Sequence, residues 1–279
     1  MKKLLLYLFL FIQLSNCAHA QELMVIKSAY LHVNDTVRLY KPKQYAHGQT
    51  YPTVILLHGH GGNYKAWGYL ANLQNLADEY GFIIACPDGL RSSWFMNAPD
   101  KNGMQWESFF INEFFPELKR KASVDTGKVF ITGNSMGGHG AMWLFLRHPN
   151  LFLSAGSTSG VLNLRYSSYK NKSLSEILGA YAENNKQFDE YSSINQLTAE
   201  KVGGKYLIFD CGTEDYLYPA NKKFRERCDS LKIKALFSAQ PGRHQPNYWK
   251  YTILNHFRFF SALVKKELPD QDYVKPVKP

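Results

Sequence analysis

Phe130 to Trp143 reads FITGNSMGGHGAMW: an apolar lead-in, one serine enclosed by glycines, and an apolar continuation. Gly133 and Gly137 stand two residues either side of Ser135. Glycine loses more backbone freedom on folding than any other residue, so this symmetric pair marks a turn that side chains would obstruct. The lead-in predicts a buried strand, and Ala141 to Leu146 continues into a helix. A serine on a sharp turn between strand and helix matches a nucleophile elbow, with its hydroxyl exposed above the sheet. A glycine-rich helix cap would share the composition but would not need the strand in front.

The same rhythm extends in both directions. PTVILLHG (Pro52 to Gly59) and GFIIACPDG come before the serine; LSAGSTSG, KYLIFDCG and KALFSAQPG come after it. Each is short, apolar and closed by glycine, proline or polar residues, as expected of strands buried on both faces. Helix candidates alternate with them. Trp106, Phe109, Phe110, Phe114 and Leu118 fall at three- and four-residue steps, and another helix is expected from about Tyr248 to Lys265. This alternation predicts an α/β fold with a mostly parallel central sheet flanked by helices. LMVIKSAYLHV and TVRLYKP are expected to add an antiparallel pair at its edge. Without internal repeats or a low-complexity linker, residues 21–266 are expected to form one domain. The polar, tyrosine-rich stretch from Leu162 to Thr198 breaks the rhythm and is expected to form a lid or a wall over the site.

In such sheets chemistry belongs in the loops that follow the strands. A serine nucleophile needs a base, and the base an orienting carboxylate, in the chain order serine, acid, histidine. Two histidines follow far enough downstream. His256 sits in an amphipathic run and reads as a helix-face residue, whereas His244, in AQPGRHQPNYW, follows a strand directly. His244 is therefore the expected base. LIFDCGTEDYLY offers Asp210, Glu214 and Asp215. Asp210 still belongs to the strand; Asp215 lies in the loop beyond and is preferred, with Glu214 second. Oxyanion donors are expected from the backbone N–H groups of Met136 and of His60 in LLHGHGGNY. His58 and His60 have no matching carboxylate cluster that would make them metal ligands.

Taken together, HGHGG, PDGLRSSWF, GNSMGGHGAMW, HPNLF, STSG, DCGTEDYLY and PGRHQPNYW resemble, in order and spacing, the esterase D superfamily of α/β-hydrolases. The resemblance runs from about Leu23 to Leu263. It implies Ser135, Asp215 and His244 as triad, the N–H groups of His60 and Met136 as oxyanion hole, and no metal or organic cofactor. Two positions depart from the pattern: Arg243 stands where many relatives have glycine, and His60 where many have an apolar residue. Arg243 is accordingly a candidate for reading a substrate carboxylate.

The chain ends and the charge bear on the substrate. Lys2 and Lys3 precede an apolar run from Leu4 to Leu14, and Ala18-His19-Ala20 follows with small residues, so residues 1–20 read as a secretory signal peptide. Leu14-Ser15-Asn16-Cys17 offers the rival reading of a lipoprotein signal, with Asn16 a poor fit before Cys17. Residues 267–279 read as a flexible tail. The net charge is +10, the lysines are scattered, and Cys86, Cys211 and Cys228 read as structural. Export points away from the intracellular thioester of S-formylglutathione hydrolases and toward short-chain or aromatic acyl groups on carbohydrates. Trp94 and Phe95, in SSWFMNAPDKNGMQW, are candidates for stacking on a sugar or feruloyl ring; the competing reading packs them under the loop. An acyltransferase or peptidase on the same scaffold is the alternative, and a non-catalytic carbohydrate-binding relative the next.

Overall fold

A computed structural model describes residues 21–46 and 48–268. The signal peptide with Cys17, and all but the first two residues of the expected tail, lie outside the described residues. Eight strands form one sheet in the order β1-β2-β4-β3-β5-β6-β7-β8. These are β1 (Glu22–Lys27), β2 (Asn34–Tyr40), β3 (Tyr51–Leu57), β4 (Ile83–Pro87), β5 (Val124–Gly133), β6 (Ser154–Thr158), β7 (Leu207–Gly212) and β8 (Ala235–Gln240). β1 and β2 pair antiparallel, β2 also meets β4 antiparallel, and β3 to β8 run parallel.

Burial follows position in the sheet. β4, β6 and β7 are buried at every residue, because helices cover both faces of a parallel sheet. β1 alternates instead, with Met24 and Ile26 inward and Leu23 and Val25 in solvent, as an edge strand with one covered face does. One core cluster gathers Trp106, Phe109, Phe110 and Phe114 with the helix Met136–Arg147; the other packs Phe257 and Phe260 of the C-terminal helix Pro246–Lys265 on Phe130 and Phe82. Cys86, Cys211 and Cys228 are all buried and free. No helix among the described residues is long and apolar enough to cross a membrane.

Two departures from simple periodicity shape the molecule. The helix that begins at Trp106–Phe109 passes through a π turn, Phe110–Phe114, before resuming as Phe115–Lys121. Bonding to the fifth residue brings side chains five apart toward one face, so Phe109, Phe110, Phe114 and Phe115 all reach the core. The stretch 162–198 is a wall of short helices. Its Leu162, Leu164, Leu174 and Phe188 are fully buried in the main core. Arg165 ties its far loop down, donating to the Asp189 carboxylate at 2.6 and 2.7 Å and to the carbonyls of Glu183 and Asn185.

Candidate active site

β5 ends at Gly133 and the next helix opens at Met136, leaving Asn134 and Ser135 to make the turn. Ser135 has φ 53° and ψ −114°, a backbone region that side-chain-bearing residues rarely adopt. Hydrogen bonds hold it there: its N–H donates to the Thr158 carbonyl at 3.0 Å, and the Val161 N–H donates to its carbonyl at 3.2 Å. The flanking glycines are required by contact. A Cβ on Gly133 would lie 2.4 Å from the Leu57 carbonyl oxygen and 2.7 Å from the Gly137 carbonyl; one on Gly137 would lie 2.3 Å from the same Leu57 oxygen and 2.6 Å from that of His58. That Leu57 oxygen also accepts the indole N–H of Trp67 at 2.8 Å and the Asn134 N–H at 3.4 Å.

The loop after β8 brings His244 to this serine. Its Nε2 lies 2.9 Å from Ser135 Oγ, and its Nδ1 lies 2.9 Å from Asp215 Oδ2. Asp215, in the loop after β7, is buried, and its other oxygen accepts the Leu217 N–H at 2.9 Å. Burial alone would raise the Asp215 carboxyl. The bond from His244, the charge of that ring and the Leu217 N–H outweigh burial and hold the group below its ordinary value. An ionised Asp215 can only accept, so Nδ1 carries the proton and Nε2 presents its lone pair to the serine hydroxyl.

His58, whose chemistry the sequence left unassigned, braces the loop after β3. It is buried, its Nδ1 lies 2.8 Å from the Gly59 carbonyl, and its Nε2 accepts the Gly89 N–H at 2.8 Å. Burial pushes its pKa down to about 4, so the ring is neutral and one tautomer satisfies both partners. The loop is thereby fastened to the one after β4, where Gly61 N–H also donates to the Arg91 carbonyl at 2.8 Å. His60 stacks on Tyr169 of the wall, ring centroids 4.0 Å apart. Ser135 and His244 open on a cavity of about 660 Å³ whose lining includes His60, Tyr169, Tyr216 and Trp249.

Three expected contacts lie elsewhere. Trp94 and Phe95 are fully buried and do not line the cavity. Left-handed backbone at both, φ 54° and 58°, turns them under the loop, where Phe95 packs edge-on against Trp106 and Trp94 against His139. Arg243 does not line the cavity and pairs with Glu214 at 2.9 Å on the surface. Glu214, the second choice for the acid, is thereby engaged with Arg243. His256 does lie on the C-terminal helix but faces inward, with Nε2 2.9 Å from Asp210 and Nδ1 2.7 Å from the Thr132 hydroxyl.

The family model Esterase, described as "Putative esterase", matches residues 28–260. Among curated proteins the chain is similar to an S-formylglutathione hydrolase of Arabidopsis thaliana, 25% identical over 66% of this chain and 63% of that protein. It therefore spans less than two thirds of that relative. It is also similar to an acetyl esterase of Caldicellulosiruptor saccharolyticus, 24% identical over 76% of this chain and 84% of the relative. Among solved structures a ferulic acid esterase superposes with a TM-score of 0.75 at 21% identity, covering 88% of this chain and 97% of that one. That likeness speaks to the α/β-hydrolase fold.

Proposed function

Because the chain belongs to the Esterase family, we propose that it is a serine carboxylesterase that carries an acyl group on Ser135 and releases it to water. The observation that carries this reading is the unbroken relay at the cavity: Asp215 to His244 to Ser135, both links 2.9 Å. His244 Nε2 takes the serine proton as Oγ attacks the ester carbonyl, and Asp215 stabilises the imidazolium that forms. The N–H groups of His60 and Met136 receive the oxyanion, each such donor contributing about 3 kcal/mol. Met136 opens a helix, where N–H groups have no intrahelical acceptor. The imidazolium then protonates the alcohol oxygen as its bond to the acyl carbon breaks. Water, deprotonated by His244, attacks the acyl-enzyme and regenerates Ser135.

The reading extends to short-chain or aromatic acyl esters on carbohydrates, acted on outside the cytoplasm. Its supports are the signal-like residues 1–20 and the acetyl esterase relative. Secretion or periplasmic release follows from that signal, with attachment through Cys17 as the variant form.

Initial rates on an aryl acetate and on methyl ferulate, with Ser135→Ala as the blank, test it. Turnover of either that disappears in the variant is expected. Ferulate turnover points to plant cell-wall cross-links, and acetate turnover alone to deacetylation. Full activity in Ser135→Ala would remove the assigned nucleophile, and so would failure of a fluorophosphonate to label wild-type Ser135.

A further inference from the structure

We propose that Tyr216 and Trp249 form the site for the leaving alcohol, and that this site takes a sugar ring. The inference rests on the roles given above to Ser135 and His244. The departing oxygen must receive its proton from His244 Nε2, so the alcohol has to lie against that imidazole. Two aromatic side chains pack on it, Tyr216 from the loop after β7 and Trp249 from the first turn of the C-terminal helix. Tyr216 has its ring centroid 5.1 Å away at a 59° tilt, and Trp249 stands at 5.1 Å and nearly perpendicular, at 83°. Both line the cavity beside Ser135. Tyr169, by contrast, is already stacked on His60, on the side that binds the oxyanion.

The polar groups nearby select among alcohols. Tyr216 is 45% exposed, and its hydroxyl lies 3.3 Å from that of Ser168, which the wall contributes to the same cavity. A third ring, Tyr69, stands 82% exposed at the cavity's border. Aromatic faces pack against the C–H faces of a pyranose, while the paired hydroxyls exchange hydrogen bonds with ring hydroxyls. An alkyl alcohol would use neither feature, and an aryl alcohol only the faces. A sugar uses both.

The test compares three acetates: a mono-O-acetylated methyl xyloside, 4-nitrophenyl acetate and ethyl acetate. All give the same acetyl-enzyme, so differences in kcat/KM report acylation with the alcohol still attached. Tyr216→Ala is expected to lower the xyloside-to-ethyl ratio about tenfold, which is about 1.4 kcal/mol. Tyr216→Phe and Ser168→Ala are each expected to lower it about threefold, the loss of one modest hydrogen bond, and to leave the aryl-to-ethyl ratio in place. An equal loss on all three esters in Tyr216→Ala would mean that the ring only props His244, and the proposal fails. It fails also if the wild type hydrolyses ethyl acetate but not the xyloside ester, an outcome that leaves the esterase reading standing. Absence of Ser135-dependent turnover on every ester would sink both.

Discussion

His244 and His256 each meet an aspartate at 2.9 Å, Asp215 and Asp210 respectively, and each has a hydroxyl on its other ring nitrogen: Ser135 at 2.9 Å, Thr132 at 2.7 Å. The ring nitrogens are exchanged between the two, but the chemical groups are nearly the same. The surroundings differ. Thr132 lies inside β5, fully buried, and Asp210 is further occupied by Thr158, whose hydroxyl also meets that of Thr252. His256 is sealed from solvent, whereas the His244 side chain is 21% exposed at a cavity. Three residues of chain, a turn to φ 53° at the end of β5, and a helix N-terminus separate a candidate site from a structural clasp. The histidine–aspartate pair alone therefore says little; what it faces decides its use.

That contrast can be broken at either pair. Ser135→Ala is expected to cost the most, on the order of 10⁶-fold in kcat on an aryl ester, by analogy with other serine hydrolases. Asp215→Asn, which puts the wrong tautomer on His244, is expected to cost about 10⁴-fold in kcat while thermal stability changes little. The buried pair should behave in the opposite way. His256→Ala strands Asp210 in the core and is expected to lower unfolding free energy by about 3–5 kcal/mol, with kcat of the folded fraction close to wild type. A urea titration and an active-site-titrated kcat separate the two, and loss of kcat without loss of stability would overturn the assignment of His256 as a clasp.

Smaller effects sharpen the comparison. His58→Ala frees the loop that carries His60 and is expected to lower kcat about a hundredfold, near the cost of losing one oxyanion donor, with KM little changed. A rise in KM at constant kcat would contradict that. Asp35 supplies a buried carboxyl with no histidine. Burial first, then the charge of Asp88, pushes its pKa up to about 9. The folded state thus holds a proton that the unfolded chain releases near pH 4, so this group's contribution is full at acid pH and is lost as pH climbs toward 9. Between pH 5 and 8 the wild type is expected to lose up to about 1.4 kcal/mol per pH unit relative to Asp35→Asn in urea unfolding. Parallel curves for the two proteins would refute the assignment.

Sequence alone carried the sheet far, because parallel strands buried on both faces tend to be written as apolar runs. β3, β4, the second half of β5 and the start of β7 are such runs, whereas β6 reads SAGST and is buried through small residues. The antiparallel pair at the edge was legible for the complementary reason, alternation. The elbow was legible because two glycines at fixed spacing have few other uses. The helix Leu73–Tyr80 was not seen; its signals are an Asn72 cap and a left-handed Gly81, with too short an apolar stripe between them. The helix Tyr218–Ser230 hides behind its polar composition, anchored by Ala220, Phe224 and Cys228 and by a buried Asn221 that donates to the Gly160 carbonyl. Direction was the hardest thing to read. Trp94, Phe95 and Arg243 sit in loops of the expected kind, but left-handed backbone and a neighbouring glutamate turn their side chains elsewhere. His58 left a trace only in the doubled histidine of HGHGG.

The Leu57 carbonyl has a consequence for precision. One oxygen bounds both elbow glycines, accepts the Asn134 N–H and anchors Trp67, and it belongs to the last residue of the strand from which His58 and His60 depart. The proposed nucleophile and the loop proposed to bind the oxyanion are thus gauged from a common datum. A thermal displacement of that strand end carries both together, so it enters their separation only as a difference. The tolerance of the reacting geometry is set by one joint and does not accumulate over two.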